Sequence, residues 1–157
     1  MAQTMPQEGQ PAPDFTAITD AGERISLADF RGKFVILYFY PKDNTPGCTK
    51  EACSLRDSFQ AITDVNAVVL GVSLDSPESH LKFIAKFGLP FTLIADTDAT
   101  VSTLYGVFGE KSLYGKTFLG IHRTTFVIDP EGIIRKVFTK VDVEHHGVEV
   151  LAVIRRQ

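Results

Sequence analysis

Phe34 to Tyr40 is an unbroken run of seven apolar or aromatic residues without alternation, the pattern of a strand covered on both faces. Ala67 to Ser73 reads as a second buried strand. Between them Cys48, Ala52, Leu55, Phe59 and Ile62 recur at helical spacing and predict a helix face that packs on a sheet. Pro46 suits the first position of that helix, with Thr45 as its N-cap. This β-α-β core fixes the fold class, which is α/β.

The other elements follow from turn and cap signals. Residues 1–12 read as a flexible tail bounded by Pro11 and Pro13, which leaves 13–157 as a single domain. Asp14 to Ile18 and Arg24 to Leu27 flank Asp20-Ala21-Gly22-Glu23, giving an N-terminal β-hairpin. A helical turn is expected over 26–30. A helix over 76–87 is stopped by Gly88 and Pro90. Phe91 to Ala95 is a short strand and Ala99 to Tyr105 a short helix. Residues 107–120 carry three glycines and no clear period, so they are expected as a long loop. Thr124 to Asp129 and Ile133 to Lys140 are strands joined at Pro130-Glu131-Gly132, and Val148 to Arg156 closes the chain as a helix that begins near His145. The order implies a mixed central sheet with helices on both faces.

A net charge of -3 weighs against nucleic acid as a partner, and no apolar stretch is long enough for a membrane span. The first ten residues are polar and lack the pattern of a secretory signal. Two cysteines are too few for a disulfide scaffold, so a reducing compartment, the cytoplasm, is expected.

Those two cysteines, Cys48 and Cys53, carry the chemistry. Cys48 falls in the first turn of its helix, where N–H groups lack partners and the helix dipole favours an anion, hence a thiolate. Gly47 removes side-chain cover and Thr45 puts a hydroxyl one turn away. Against this stands the plain reading of Cys48 as a small buried hydrophobe on an apolar face. On an intact helix, residues five apart have Cα atoms roughly 8.7 Å apart and point to different sides. A disulfide needs about 7 Å or less. Cys48 and Cys53 therefore bond only if the first turns unwind, and helix ends are low-stability regions. Cys-x4-Cys and the scattered His80, His122, His145 and His146 do not form a zinc pattern, so no metal and no cofactor is expected.

Pro41-x3-Thr45-x2-Cys48 resembles the active-site motif of the peroxiredoxins, the thiol peroxidases. The longer string from Tyr38 to Cys53 is similar to their bacterioferritin comigratory protein, or peroxiredoxin Q, branch. Matches continue in Gly71-Val-Ser-Leu-Asp75, Phe87-x-Leu-Pro-Phe91, Gly106-Val-x-Gly-Glu-Lys111, Tyr114-Gly-Lys116 and Gly120-Ile-His-Arg-x-Thr-Phe-Val-Ile-Asp129. The resemblance implies a thioredoxin-like fold with the hairpin as an N-terminal extension. It implies Cys48 as the peroxidatic cysteine and Cys53 as the resolving cysteine on the same helix, with Pro41, Thr45 and Arg123 completing the site. The implied substrates are hydrogen peroxide and organic (alkyl) hydroperoxides, and the implied reductant is thioredoxin or a related dithiol. A monomer is implied; exposed aromatics such as Phe108 and Phe118 leave room for a dimer.

A thiol of pKa about 8.5 is a few per cent ionised at pH 7, so complete ionisation gains only about thirtyfold. The larger contribution has to come from donors aimed at the breaking O–O bond. Candidates are the N–H groups of Gly47 and Cys48, the Thr45 hydroxyl and the Arg123 guanidinium. Pro41 has no N–H and shapes the pocket. From spacing alone Arg123 would be read as half of a surface ion pair; the resemblance reverses that. His122 is set aside, because neighbouring side chains of a strand point to opposite faces. Lys42 and Lys116 are minor sources of positive potential. The competing functions are a redox sensor, which would not turn over, and a thioredoxin-like disulfide reductase, which would want Cys-x2-Cys.

Overall fold

A computed structural model describes residues 4–156 of the chain. Strands β1 (Thr16–Ile18) and β2 (Arg24–Ser26) form the N-terminal hairpin, and a 3-10 turn covers Leu27–Phe30. There follow β3 (Phe34–Phe39), α1 (Pro46–Asp57), α2 (Phe59–Asp64), β4 (Ala67–Ser73), α3 (Pro77–Phe87), β5 (Thr92–Ala95) and α4 (Thr100–Leu104). The chain continues through β6 (Phe108–Leu113), β7 (Lys116–Ile121), β8 (Thr124–Ile128), β9 (Ile134–Phe138) and α5 (His146–Arg155).

The main sheet has the order β5-β4-β3-β8-β9. β3 runs parallel to β4 and antiparallel to β8, so it is central and its neighbours meet at its C-terminal end. Alternate side chains of β3 enter two cores. Val35, Leu37 and Phe39 pack with Val101 and Tyr105 on one face; Ile36 and Tyr38, with Tyr40 beyond the strand, pack with α1, α2, α3 and α5 on the other. This is why the run shows no alternation. Gly71 in β4 has the Tyr38 ring lying across it: a Cβ there would come within 2.8 Å of Tyr38 Cζ.

Three expectations change. The helix expected over 46–62 breaks at Ser58, giving α1 and α2. The expected loop over 107–120 is a β-hairpin, closed by Tyr114 and Gly115, both at positive φ. Positive φ at both central residues is what a two-residue type I′ hairpin turn requires. The expected tail over 1–12 is not free where it is described: Gly9 and Ala12 donate to the carbonyls of Ile134 and Gly132 at 2.8 Å each, and Ala12 is buried. Residues 1–3 of that tail lie outside the described residues.

Candidate active site

The site forms where β3 ends. Tyr40 still donates to Val72 O at 3.0 Å, but Pro41 has no N–H and ends the ladder. The loop that follows is anchored from below. Asp43 is buried and accepts from Tyr40 Oη (2.6 Å), Ser79 Oγ (2.8 Å) and His80 Nδ1 (2.7 Å), while its own N–H donates to Asp75 Oδ2 at 2.8 Å. Thr45 caps α1 through its backbone, its carbonyl accepting from Thr49 N at 2.8 Å. Its side chain does not cap, contrary to expectation; the hydroxyl donates to Lys42 O at 2.8 Å. The proton of Thr45 is thus committed, and its oxygen has lone pairs to offer.

Pro46, Gly47 and Cys48 are the first three residues of α1. No carbonyl within the helix reaches the N–H groups of Gly47 and Cys48. Cys48 is 1% exposed and faces the core that contains Tyr38, Ala52 and Leu55. Beside it lies a cation: Arg123 Nη2 is 3.2 Å from Cys48 Sγ. The guanidinium arrives from the residue just before β8, which pairs with β3 through Phe39 and Thr124. Gly47 gives it room, since a Cβ there would lie 3.2 Å from Nη2.

Cys53 sits half-buried further along α1; both thiols are free, and the helix between them is unbroken. Pro41 is half-buried at the loop entrance. His122 is exposed, with Nε2 bonded to Glu110 O at 3.1 Å, so it stays outside the site. Lys42 and Lys116 are exposed. Lys111, not singled out from the sequence, is the lysine that feels the site: burial and Arg123 lower its pKa while Cys48 opposes them. Phe108 is half-buried against the core, and Phe118 is exposed.

Glu51 is the residue that sequence reasoning missed. It is fully buried one turn after Cys48, and its Oε1 pairs with Arg123 Nη1. Burial pushes its carboxyl up to about 7, against the pull of Arg123. Behind it lies His146 of α5, also fully buried, bonded through Nδ1 to Glu149 and through Nε2 to Thr125, 2.8 Å each. Burial disfavours the guanidinium charge, yet Glu51 and Cys48 outweigh it and hold Arg123 above its ordinary value. A signal for Glu51 existed: it is an acid three residues from Cys48 on the stripe that faces the sheet.

Among the described residues no cluster of three metal-ligating side chains occurs, and no helix is long and apolar enough to cross a membrane.

A central mixed sheet with a thiol at the start of the helix after β3, and an arginine beside it, defines a thioredoxin-like thiol enzyme. The AhpC/TSA family model matches residues 8–137, and the chain belongs to that family. It is 54% identical over 143 residues to a putative peroxiredoxin bcp of Coxiella burnetii, covering 91% of this chain and 95% of that protein. To the peroxiredoxin Bcp of Bacillus subtilis it is 46% identical over 147 residues, 94% of either chain. Among solved structures, a cysteine-to-serine variant of Xylella fastidiosa PrxQ superposes with TM-score 0.91 at 34% identity, covering 98% of each chain. The bacterioferritin comigratory protein of Xanthomonas campestris, described for its alkyl peroxide reduction activity, superposes with TM-score 0.85 at 37% identity and 90% coverage of each. The thioredoxin-like fold inferred from sequence is thereby borne out, and the chain is a peroxidase oxidoreductase that uses peroxide and a dithiol reductant.

Proposed function

We propose that Cys48 is the peroxidatic thiol and Cys53 the resolving thiol of this enzyme, acting on hydrogen peroxide and small alkyl hydroperoxides. The observation that carries the reading is the contact of Arg123 Nη2 with Cys48 Sγ at 3.2 Å, at the open end of α1. A buried anion needs a partner of opposite charge, and the guanidinium supplies it.

In the first step the Cys48 thiolate attacks one peroxide oxygen. The S–O bond forms, the O–O bond breaks, and the leaving oxygen takes a proton and departs as water or alcohol. Sulfur is oxidised to sulfenic acid by two electrons and the peroxide is reduced. Arg123 and the N–H groups of Gly47 and Cys48 face the charge that develops on the oxygens. Thr45, its proton held by Lys42 O, accepts the peroxide O–H and so aims the substrate. Pro41 walls the entrance. In the second step the Cys53 sulfur displaces hydroxide from the sulfenic acid, which leaves as water, and a Cys48–Cys53 disulfide forms. That step requires the first turns of α1 to open. An external dithiol, thioredoxin by family resemblance, then returns both thiols by exchange. We place this chemistry in the cytoplasm and in a monomer.

The test is intact mass with thiol counting after one equivalent of peroxide. Loss of the mass of two hydrogens and of both thiols supports the reading. Cys48→Ser should abolish peroxide consumption, and retention of more than a trace of it would overturn the assignment.

A further inference from the structure

We propose that Glu51 and His146 form a buried one-proton site that sets how much of the Arg123 charge reaches the Cys48 sulfur. Both are positioning residues that act through Arg123. The proposal deepens the reading above and rests on Cys48 being the reacting thiol.

The geometry requires a proton between them. His146 Nδ1 lies 2.8 Å from a Glu149 carboxylate oxygen and so carries hydrogen. In the neutral ring Nε2 is then a lone pair, which accepts from Thr125 Oγ1 at 2.8 Å. The same nitrogen lies 3.7 Å from Glu51 Oε2, a buried oxygen with no hydrogen-bond partner. Two unprotonated acceptors facing one another in a dry interior repel. One proton on either atom removes the conflict and makes the pair neutral. Without it the pair is an anion.

That anion has a rival. Arg123 reaches Glu51 with Nη1 and Cys48 with Nη2, so one guanidinium serves two buried acids. The other titratable groups facing Glu51 are Tyr38 from β3 and Glu149 from α5. Burial first, then the charges of Glu51 and Cys48, keeps the Tyr38 phenol neutral. Glu149 is engaged with His146 and adds negative potential. When the shared proton is present, the guanidinium charge is available to the sulfur. When it leaves, Glu51 draws that charge away. Burial raises Glu51 to about 7 and lowers His146, so the exchange falls in the neutral range. Coupling of this kind is reciprocal: whatever stabilises the thiolate also holds the proton on Glu51.

The test reads ionisation without peroxide. In a Cys53→Ser background, which leaves one thiol, the rate of alkylation by iodoacetamide is followed against pH. Glu51→Gln keeps an oxygen for Arg123 but cannot ionise, so alkylation should reach its half-maximal rate about one pH unit lower and follow a single-proton curve. The unsubstituted position should give a broader curve. Superimposable curves would overturn the proposal. A second measurement does not depend on how Glu51→Gln folds: the protonated-carboxyl infrared band is titrated in Cys48→Ser and in Cys53→Ser. Loss of the competing thiolate should let Glu51 ionise about one pH unit lower in Cys48→Ser; no displacement would refute the coupling. His146→Gln replaces the facing lone pair by an amide donor and should also move the Glu51 titration to lower pH. An unmoved titration would remove His146 from the pair. Peroxide consumption by Cys48→Ser is scored separately, so failure of the assignment of Cys48 is distinguishable from failure of this coupling.

Discussion

His80 lies between the Asp43 carboxylate, 2.7 Å from Nδ1, and the Ile94 carbonyl, 2.9 Å from Nε2. A carbonyl only accepts, so Nε2 is a donor; Asp43 accepts from Tyr40 and Ser79 through its two oxygens, and its charge and hydrogen bond favour a proton on Nδ1 as well. His80 is therefore an imidazolium in the protein interior, and this ion pair ties the loop that carries Thr45 to α3 and β5. Burial disfavours its charge, but the Asp43 hydrogen bond and charge prevail and raise its pKa.

This pair gives stability a direction in pH. A base whose folded pKa is raised contributes fully below its unfolded value of about 6.5, and the contribution is lost as pH rises through the folded pKa. Urea unfolding of the wild-type chain should show that loss on the alkaline side. His80→Ala leaves Asp43 buried without its cation and should cost about 3–5 kcal/mol at pH 6, with a smaller difference from wild type at high pH. Equal differences at both pH values would contradict the assigned charge.

Arg123→Ala should affect rate and stability by separable routes. The Cys48 contact disappears, and the second-order rate with peroxide should fall about 10²–10³-fold. Glu51 is also left as a buried, unpaired acid, which should lower stability by about 3 kcal/mol. Adding Glu51→Gln should recover most of the stability and none of the rate. Stopped-flow peroxide reduction and denaturant melts read the two effects on the same samples.

At Gly47 the crowding is subtle. An added methyl would meet Arg123 Nη2 at 3.2 Å, so the guanidinium has to give by a few tenths of an ångström. Gly47→Ala should therefore slow peroxide reduction about tenfold while the melting temperature changes little, since positioning errors of this size act on rate.

Gly147 is tighter. A Cβ there would come within 2.6 Å of Ser54 O and would clash outright with Ser58 Oγ, while Gly147 N donates to Ser54 Oγ at 2.9 Å. Gly147→Ala should push α5 off α1 and cost about 1–3 kcal/mol in equilibrium unfolding.

How far the sequence spoke depended on how local each signal was. The buried strands, the opening of α3 near Ser76 and the Gly88 stop are written in neighbouring residues, and they stand where expected. Gly47, Cys48 and Arg123 are marked by an ordered motif and lie together although Arg123 is distant in sequence, whereas the Thr45 hydroxyl bonds locally to Lys42 O. Glu51 was not legible, because an acid in a helix reads as solvent-facing until its position on the buried stripe is weighed. His146 stands at the helix start that the sequence predicts, but its buried contacts are not legible there, since its partners Thr125 and Glu51 are distant in sequence. The β6–β7 hairpin was hidden by its glycines and by exposed apolar residues such as Leu119, which blur the alternation of a strand.

The arginine beside the thiol is supplied 75 residues downstream of it. A ribosome therefore releases Cys48 long before it has made the guanidinium that lies beside it, and β8 must still pair with β3 to bring the two together. On the assignment of Cys48 proposed above, a growing or misfolded chain carries a thiol without its cation. Readiness to react with oxidants would then be conferred by completion of the sheet, which would spare unfinished molecules from being spent before they can be recycled.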